Sequence, residues 1–162
     1  MRNAFSLLEV FMTVALLGAT TIFTVSLINT KYVAVESIKL ELKSHINNIT
    51  AIILQCKEYS GIMPVQSDGS LASDTLLDSL ECNTTTPYPL DGGKGSFIPS
   101  PLHQFTSYKA SQSGDEFYFS TSTRIGSYQY EALQELNSTY SSNQYELDVN
   151  STDISLKFYL SR

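Results

Sequence analysis

The sequence predicts an α+β fold in which one long N-terminal α-helix packs on a small antiparallel β-sheet. Three observations predict it. An apolar run from Val10 to Ile28 leads into apolar residues at helical spacing, Val35, Ile38, Leu42, Ile46, Ile49 and Ile53, which form one stripe. Phe117, Phe119, Leu147, Val149, Ile154, Leu156 and Phe158 then fall at a period of two, as inward-facing strand residues do. Between these regions the chain is rich in turn residues. Once the helix is subtracted roughly 100 residues remain, enough for one compact domain and hardly for two.

The elements follow in order. The helical pattern decays near Tyr59-Ser60-Gly61, where Gly61 and Pro64 are stop signals, so a helix from Phe5 to about Lys57 would be about 80 Å long at 1.5 Å per residue. Glu36, Lys39, Lys43, Asn47 and Asn48 fall on its charged face, and His45 is placed there with them. From Ser60 to Ser113 the chain reads as a long, mostly irregular segment. Its signals are Asp68-Gly69, the Thr84 to Pro89 tract, Asp91-Gly92-Gly93-Lys94-Gly95 and Pro99-Ser100-Pro101, with one short helix expected at Ser73 to Leu80. Strands are expected at Gln104 to Ala110, weakly, and at Glu116 to Arg124, Gln144 to Val149 and Asp153 to Leu160. Asn150-Ser151-Thr152 turns the last hairpin.

The charged groups at the N-terminus carry the functional signal. Glu9 stands at the head of the apolar run, and an ionisable group inside a spanning segment costs roughly 2.5–3.5 kcal/mol on insertion scales, so a retained carboxylate there has a partner and a role. Arg2, Ala4, Phe5, Leu7, Leu8 and Glu9 meet six constraints in eight positions. This string resembles the cleavage and methylation signal of type IV pilins and type II secretion pseudopilins. An ordinary signal anchor leaves Glu9 accidental. A secretory signal fits worse, since its apolar core is about 7–15 residues and ends in an A-x-A-like site that does not follow here. Two departures are visible: Ala4 stands where the family has Gly, and Ser26 stands where many type IV pilins carry a kinking Pro. Gly18, with Thr20 and Thr21, still offers a weak point in the helix.

The resemblance implies a division of the chain. Residues 1–4 are a leader, 5–29 the membrane and filament-core half of the helix, 30–58 its amphipathic stem, and 59–162 a periplasmic head. A prepilin peptidase would cut between Ala4 and Phe5, and the freed, N-methylated Phe5 amine would be neutralised by Glu9 of a neighbouring subunit. The implied partners are that peptidase, identical or related subunits, an inner-membrane assembly platform, and lipid before assembly. Arg2 precedes the run and Lys31 follows it among Glu36 and Glu41, so the positive-inside bias is slight and puts the leader in the cytoplasm. In the periplasm Cys56 and Cys82, the only cysteines, are expected to pair, closing a loop of about 27 residues worth roughly 3.5 kcal/mol.

Charge excludes some functions. Of 16 acidic residues 12 lie from Tyr59 onward, against 5 of the 10 basic ones, so the head is acidic and lacks the Lys and Arg that displace counterions from phosphates. No nucleic acid is expected as a partner. No enzyme is expected either, and no cofactor. Gly92 to Ser96 lacks the spacing of a phosphate-binding loop, and His45 and His103 have no adjoining nucleophile. With the two cysteines distant from both histidines no zinc site is proposed. Asp68, Ser70 and Asp74 offer oxygens to calcium, as loops in some pseudopilins do, but miss EF-hand spacing. Four N-x-[ST] sequons occur, at Asn48, Asn83, Asn137 and Asn150; the last three carry Glu81, Glu135 and Asp148 two residues earlier, matching the extended bacterial glycosylation sequon.

The leading expectation is a structural subunit of a type II secretion-type pseudopilus. The first alternative is a minor pilin of a type IV pilus acting in adhesion, motility or DNA uptake. The second is a monomeric, membrane-anchored periplasmic binding domain.

Overall fold

The computed structural model describes residues 4–82, 88–89, 98–139 and 144–161 of the chain, with the backbone path alone for 4–11, 19, 22–29, 88–89, 139 and 161. Helix α1 runs Ala4–Ser60 without interruption, passing straight through Gly18. Its 57 residues make it about 85 Å long at the standard rise. Thr20 and Thr21 donate their hydroxyls back to the Leu16, Leu17 and Gly18 carbonyls at 2.8–3.0 Å, so the apolar run carries two polar groups already satisfied within the helix.

The helix ends where the sequence places its end. Gly61 adopts φ +76°, and its N–H donates to the Lys57 carbonyl at 2.8 Å, the left-handed cap that glycine fills without a Cβ clash. Ser60 Oγ adds a bond to the Cys56 carbonyl at 2.8 Å.

Beyond the cap the chain builds a five-stranded antiparallel sheet. Its strands are β1 (Thr75–Leu76), β4 (Lys109–Ser113), β5 (Glu116–Arg124), β6 (Tyr145–Val149) and β7 (Asp153–Ser161), in the order β1-β4-β5-β7-β6. Two further strands, β2 (Glu81–Cys82) and β3 (Tyr88–Pro89), make a separate small ribbon. Helix α2 (Tyr128–Thr139) connects β5 to β6 and packs along α1. The whole is α+β, with the stem of α1 packed on a small antiparallel sheet.

Sheet and stem share one core. Leu42, Ile46, Ile49 and Ile53 of α1 meet Leu133 and Leu136 of α2 and Phe117, Phe119, Ile154, Leu156 and Phe158 of the sheet, all buried. Each such side chain contributes about 1.5–3 kcal/mol by leaving water. A run of aromatic contacts crosses this core from stem to sheet edge. His45 meets Tyr108, Tyr108 meets Phe119, Phe119 meets Phe158 and Phe158 meets Tyr145, with ring centroids 5.0–6.5 Å apart.

Several expectations need correction. The short helix expected at Ser73 to Leu80 is instead strand β1 followed by one turn of 3-10 helix, Leu77–Ser79. The strand expected over Gln104 to Ala110 begins only at Lys109, because Gln104 adopts φ +68°, outside the extended region. That bend is held from β5, where the buried Thr121 and Thr123 donate their hydroxyls to the Thr106 and Gln104 carbonyls at 2.7 and 3.0 Å. Val149 lies 56% exposed although Ile154, its partner across the ladder, is fully buried. It closes the edge strand, with which no further described strand pairs, and Tyr145 at the other end of β6 fills the core instead. The irregular reading of the Thr84 to Pro89 tract misses β3, which pairs Tyr88 with Cys82 and Pro89 with Glu81; residues 84–87 lie outside the described residues.

Candidate functional site

The residues expected to carry processing and assembly sit at the start of α1. Ala4, Phe5 and Glu9 lie in its first two turns, and their side chains are outside the described residues. Arg2 precedes the described chain. The next stretch is described: Met12, Val14, Leu16 and Leu17 are 61–65% exposed. Large apolar side chains cluster here on a helix surface that none of the described residues of the head covers, and contiguous apolar surface of this kind marks an interface with lipid or protein. Among the described residues no helix is long and apolar enough to cross a membrane, and much of the Val10 to Ile28 run is described by its backbone alone.

The stem half is fixed to the head by three devices. The first is the buried stripe. The second is a set of ion pairs to α2: Lys31 Nζ lies 2.8 Å from Glu131 Oε1, and Lys39 Nζ lies 3.0 Å from Glu135 and 2.7 Å from Glu36 of its own helix. These carboxylates hold both ammonium groups above the usual lysine range, chiefly by hydrogen bonding. Lys31 and Lys39 meet Glu131 and Glu135 in the same order, so α2 runs parallel to α1. Glu36 and Lys39 therefore flank α2 rather than facing away from the head, a correction to the charged face expected from sequence. The third device is a disulfide between Cys56 and Cys82, with Cα atoms 5.6 Å apart, tying β2 to the last turns of α1.

His45 also turns toward the head, not onto an open charged side. Its Nδ1 is 2.8 Å from the Tyr108 hydroxyl, and burial pushes the imidazole pKa down and the phenol up. Burial thus favours the neutral form of both rings, which share this one hydrogen bond. His103 is exposed, and its backbone carbonyl accepts from Gln129 Nε2 at 3.2 Å.

The oxygens considered for calcium do not converge. Asp68 accepts from the Ser70 N–H at 2.9 Å, and hydrogen bonding from the Ser70 hydroxyl and then its N–H lowers the Asp68 pKa, whereas Asp74 is drawn to Lys109 at 2.6 Å. Among the described residues no three His, Cys, Asp or Glu side chains group as metal ligands. Gly92 to Ser96 and Asn83 lie outside the described residues. A cavity of about 120 Å³ between Leu77, Ile98, Pro101 and Tyr108 is well below the 300–1,000 Å³ of small-molecule sites.

Sequence reasoning missed α2 and with it Glu131 and Glu135, the partners of the stem lysines. A signal for α2 was present. Gln129, Ala132, Leu133 and Leu136 follow helical spacing and are buried, and Ser127 caps the helix, its Oγ accepting from the Tyr130 N–H at 3.2 Å. A scan of family models, a search of curated proteins and a search of solved structures each found no match.

Proposed function

We propose that this chain is a pilin-like structural subunit of a type II secretion-type pseudopilus, assembled from the inner membrane through α1. The observation that carries the reading is the division of one continuous helix. Its stem is buried in the head, while Met12, Val14, Leu16 and Leu17 stand exposed next to the turn bearing Glu9. A folded head that projects a bare apolar helix needs lipid before assembly and neighbouring helices after it. Leu7, Leu8, Val10, Phe11, Val14, Leu16 and Leu17 serve both states, because apolar side chains pack against other helices as well as against lipid tails.

Electrostatics sets the register. Cleavage after Ala4 frees the Phe5 amine, and Glu9 of one subunit neutralises the amine of the next as the helices stack. In a low-dielectric core an unpaired carboxylate is costly, so wrong registers are penalised more than the right one is rewarded. The head contributes no catalysis to this scheme. The stem joints keep it rigid on its helix, so that force applied at the base moves the whole subunit.

The test uses the full chain in cells with and without an active prepilin peptidase, reading the mature N-terminus and mass. A start at Phe5, methylated, supports the reading, and an intact Met1 sinks it. Glu9→Ala and Glu9→Leu are expected to insert and be cleaved normally yet fail to enter filaments. Normal incorporation of either variant would refute the pairing. Long surface filaments containing the subunit, with secretion intact, would assign it to a type IV pilus instead.

A further inference from the structure

Three of the four sequons, at Asn48, Asn137 and Asn150, lie on described residues, and their surroundings differ; the latter two carry the preceding acid. At Asn48 the sequon lies within α1: Ile49 is 1% exposed, and the Thr50 hydroxyl is buried with no hydrogen-bond partner. An oligosaccharyl transferase must reach the Asn amide and the hydroxyl two residues on from the same side, which the folded stem prevents here. At Asn150 the opposite holds. Asn150, Ser151 and Thr152 are all exposed and form the whole turn between β6 and β7, closed by the Asn150 N–H on the Asp153 carbonyl at 2.9 Å. Among the described residues the Asn150 side chain takes no hydrogen bond, and Thr152 Oγ1 sits at the surface beside Asp153 Oδ2, 2.8 Å away. The acid two residues earlier, Asp148, has half of its side chain in solvent, 3.5 Å from Lys157. Asn137 is exposed in the last turn of α2, with Ser138 exposed beside it; Glu135, two residues earlier, is half in solvent although paired with Lys39, and Thr139 is described by its backbone alone.

We infer that Asn150 and Asn137 are glycan acceptors, modified by a membrane-bound oligosaccharyl transferase that reads the preceding acid. The co-substrate class is a polyprenyl-pyrophosphate-linked oligosaccharide. The Asn Nδ2 forms a bond to the anomeric carbon, the bond from that carbon to the pyrophosphate oxygen breaks, polyprenyl pyrophosphate leaves with the electron pair, and one Nδ2 proton passes to the transferase. Asp148 or Glu135 supplies a negative charge for a cation on the enzyme, and the Ser or Thr hydroxyl at the third position orients the acceptor. This inference rests on the reading of α1 as an anchor that holds the head across the membrane.

The test is mass spectrometry of peptides from the native full chain, with the redox state of Cys56 and Cys82 read in the same sample. The expected result is one common saccharide mass on the Asn150 and Asn137 peptides and an unmodified Asn48 peptide. In the Asp148→Ala variant, occupancy at Asn150 is expected to fall at least tenfold while Asn137 keeps its own. Unmodified Asn150 and Asn137 would overturn the inference, as would full Asn150 occupancy in Asp148→Ala. In the first case the cysteines tell which reading failed: a disulfide leaves the anchored, exported head standing, and free thiols remove both.

Discussion

Removing the bond between Cys56 and Cys82 is expected to cost the head a large part of its stability. The bridge spans 26 positions, from the end of the stem to strand β2, and encloses the turns around Gly61 and Gly69 together with β1. With a closed loop of that size, the chain-entropy relation gives about 3.5 kcal/mol at 25 °C, most of it from the denatured ensemble. Small domains unfold with a urea dependence of about 2 kcal/mol per molar, so the midpoint should fall by about 1.5–2 M. The assay is urea unfolding of the detergent-solubilised full chain, followed by near-ultraviolet circular dichroism of its tyrosines. Two perturbations separate entropy from packing. Thiol reduction of the wild type keeps both sulfurs in place, at 3% and 7% exposure, whereas Cys56→Ala/Cys82→Ala also removes them from the core. Reduction alone should therefore account for most of the loss, with the double variant lower by about 1 kcal/mol more. A change below about 1 kcal/mol on reduction would refute the reasoning, because the loop would then be held in the denatured state by something other than the bridge.

Three further outcomes are expected. Gly61→Ala should destabilise the head by about 1–2 kcal/mol, read as a lower melting temperature, since no atom lies within 4 Å of the added Cβ and the left-handed φ is the only penalty. Leu133→Ala should cost about 2–5 kcal/mol in the same measurement, while Leu40→Ala, on the 62%-exposed side of the stem, should stay within about 0.5 kcal/mol. Burial holds the folded His45 pKa below its ordinary 6.5, so the unfolded chain binds the extra proton more readily. The contribution is fully present above pH 6.5 and is lost as pH falls through the folded value; unfolding midpoints between pH 7.5 and 5 should show this slope, and His45→Gln should flatten it.

The first helix shows how far local signals reach. Its stripe, its length and its stop are all local, because helical spacing and a left-handed glycine act within a few residues, and the helix ends at Ser60 with Gly61 as its cap. Strand β5 was legible to the residue, Glu116–Arg124, since strict alternation of Phe117, Phe119, Thr121 and Thr123 leaves one register that buries a single face. The sequons and the Ala4, Phe5, Glu9 string were likewise legible, being patterns of residue type that need no fold.

Other features depend on what the fold brings alongside. Glu36 and Lys39 read as solvent-facing until α2 lies beside them, and His45 reads as part of a charged face until Tyr108 arrives from 63 positions away. Gln104 looks extended by composition, yet two threonines of a strand formed later in the chain fix it in a bend. Val149 alternates correctly and is still exposed, because burial at a sheet edge is set by what covers the edge. By itself the sequence determined the long helix, its cap and the strands that alternate strictly. Only the tertiary structure decided which charges pair, which sequons face solvent and where the second helix docks, because those outcomes rest on contacts between segments far apart in the chain.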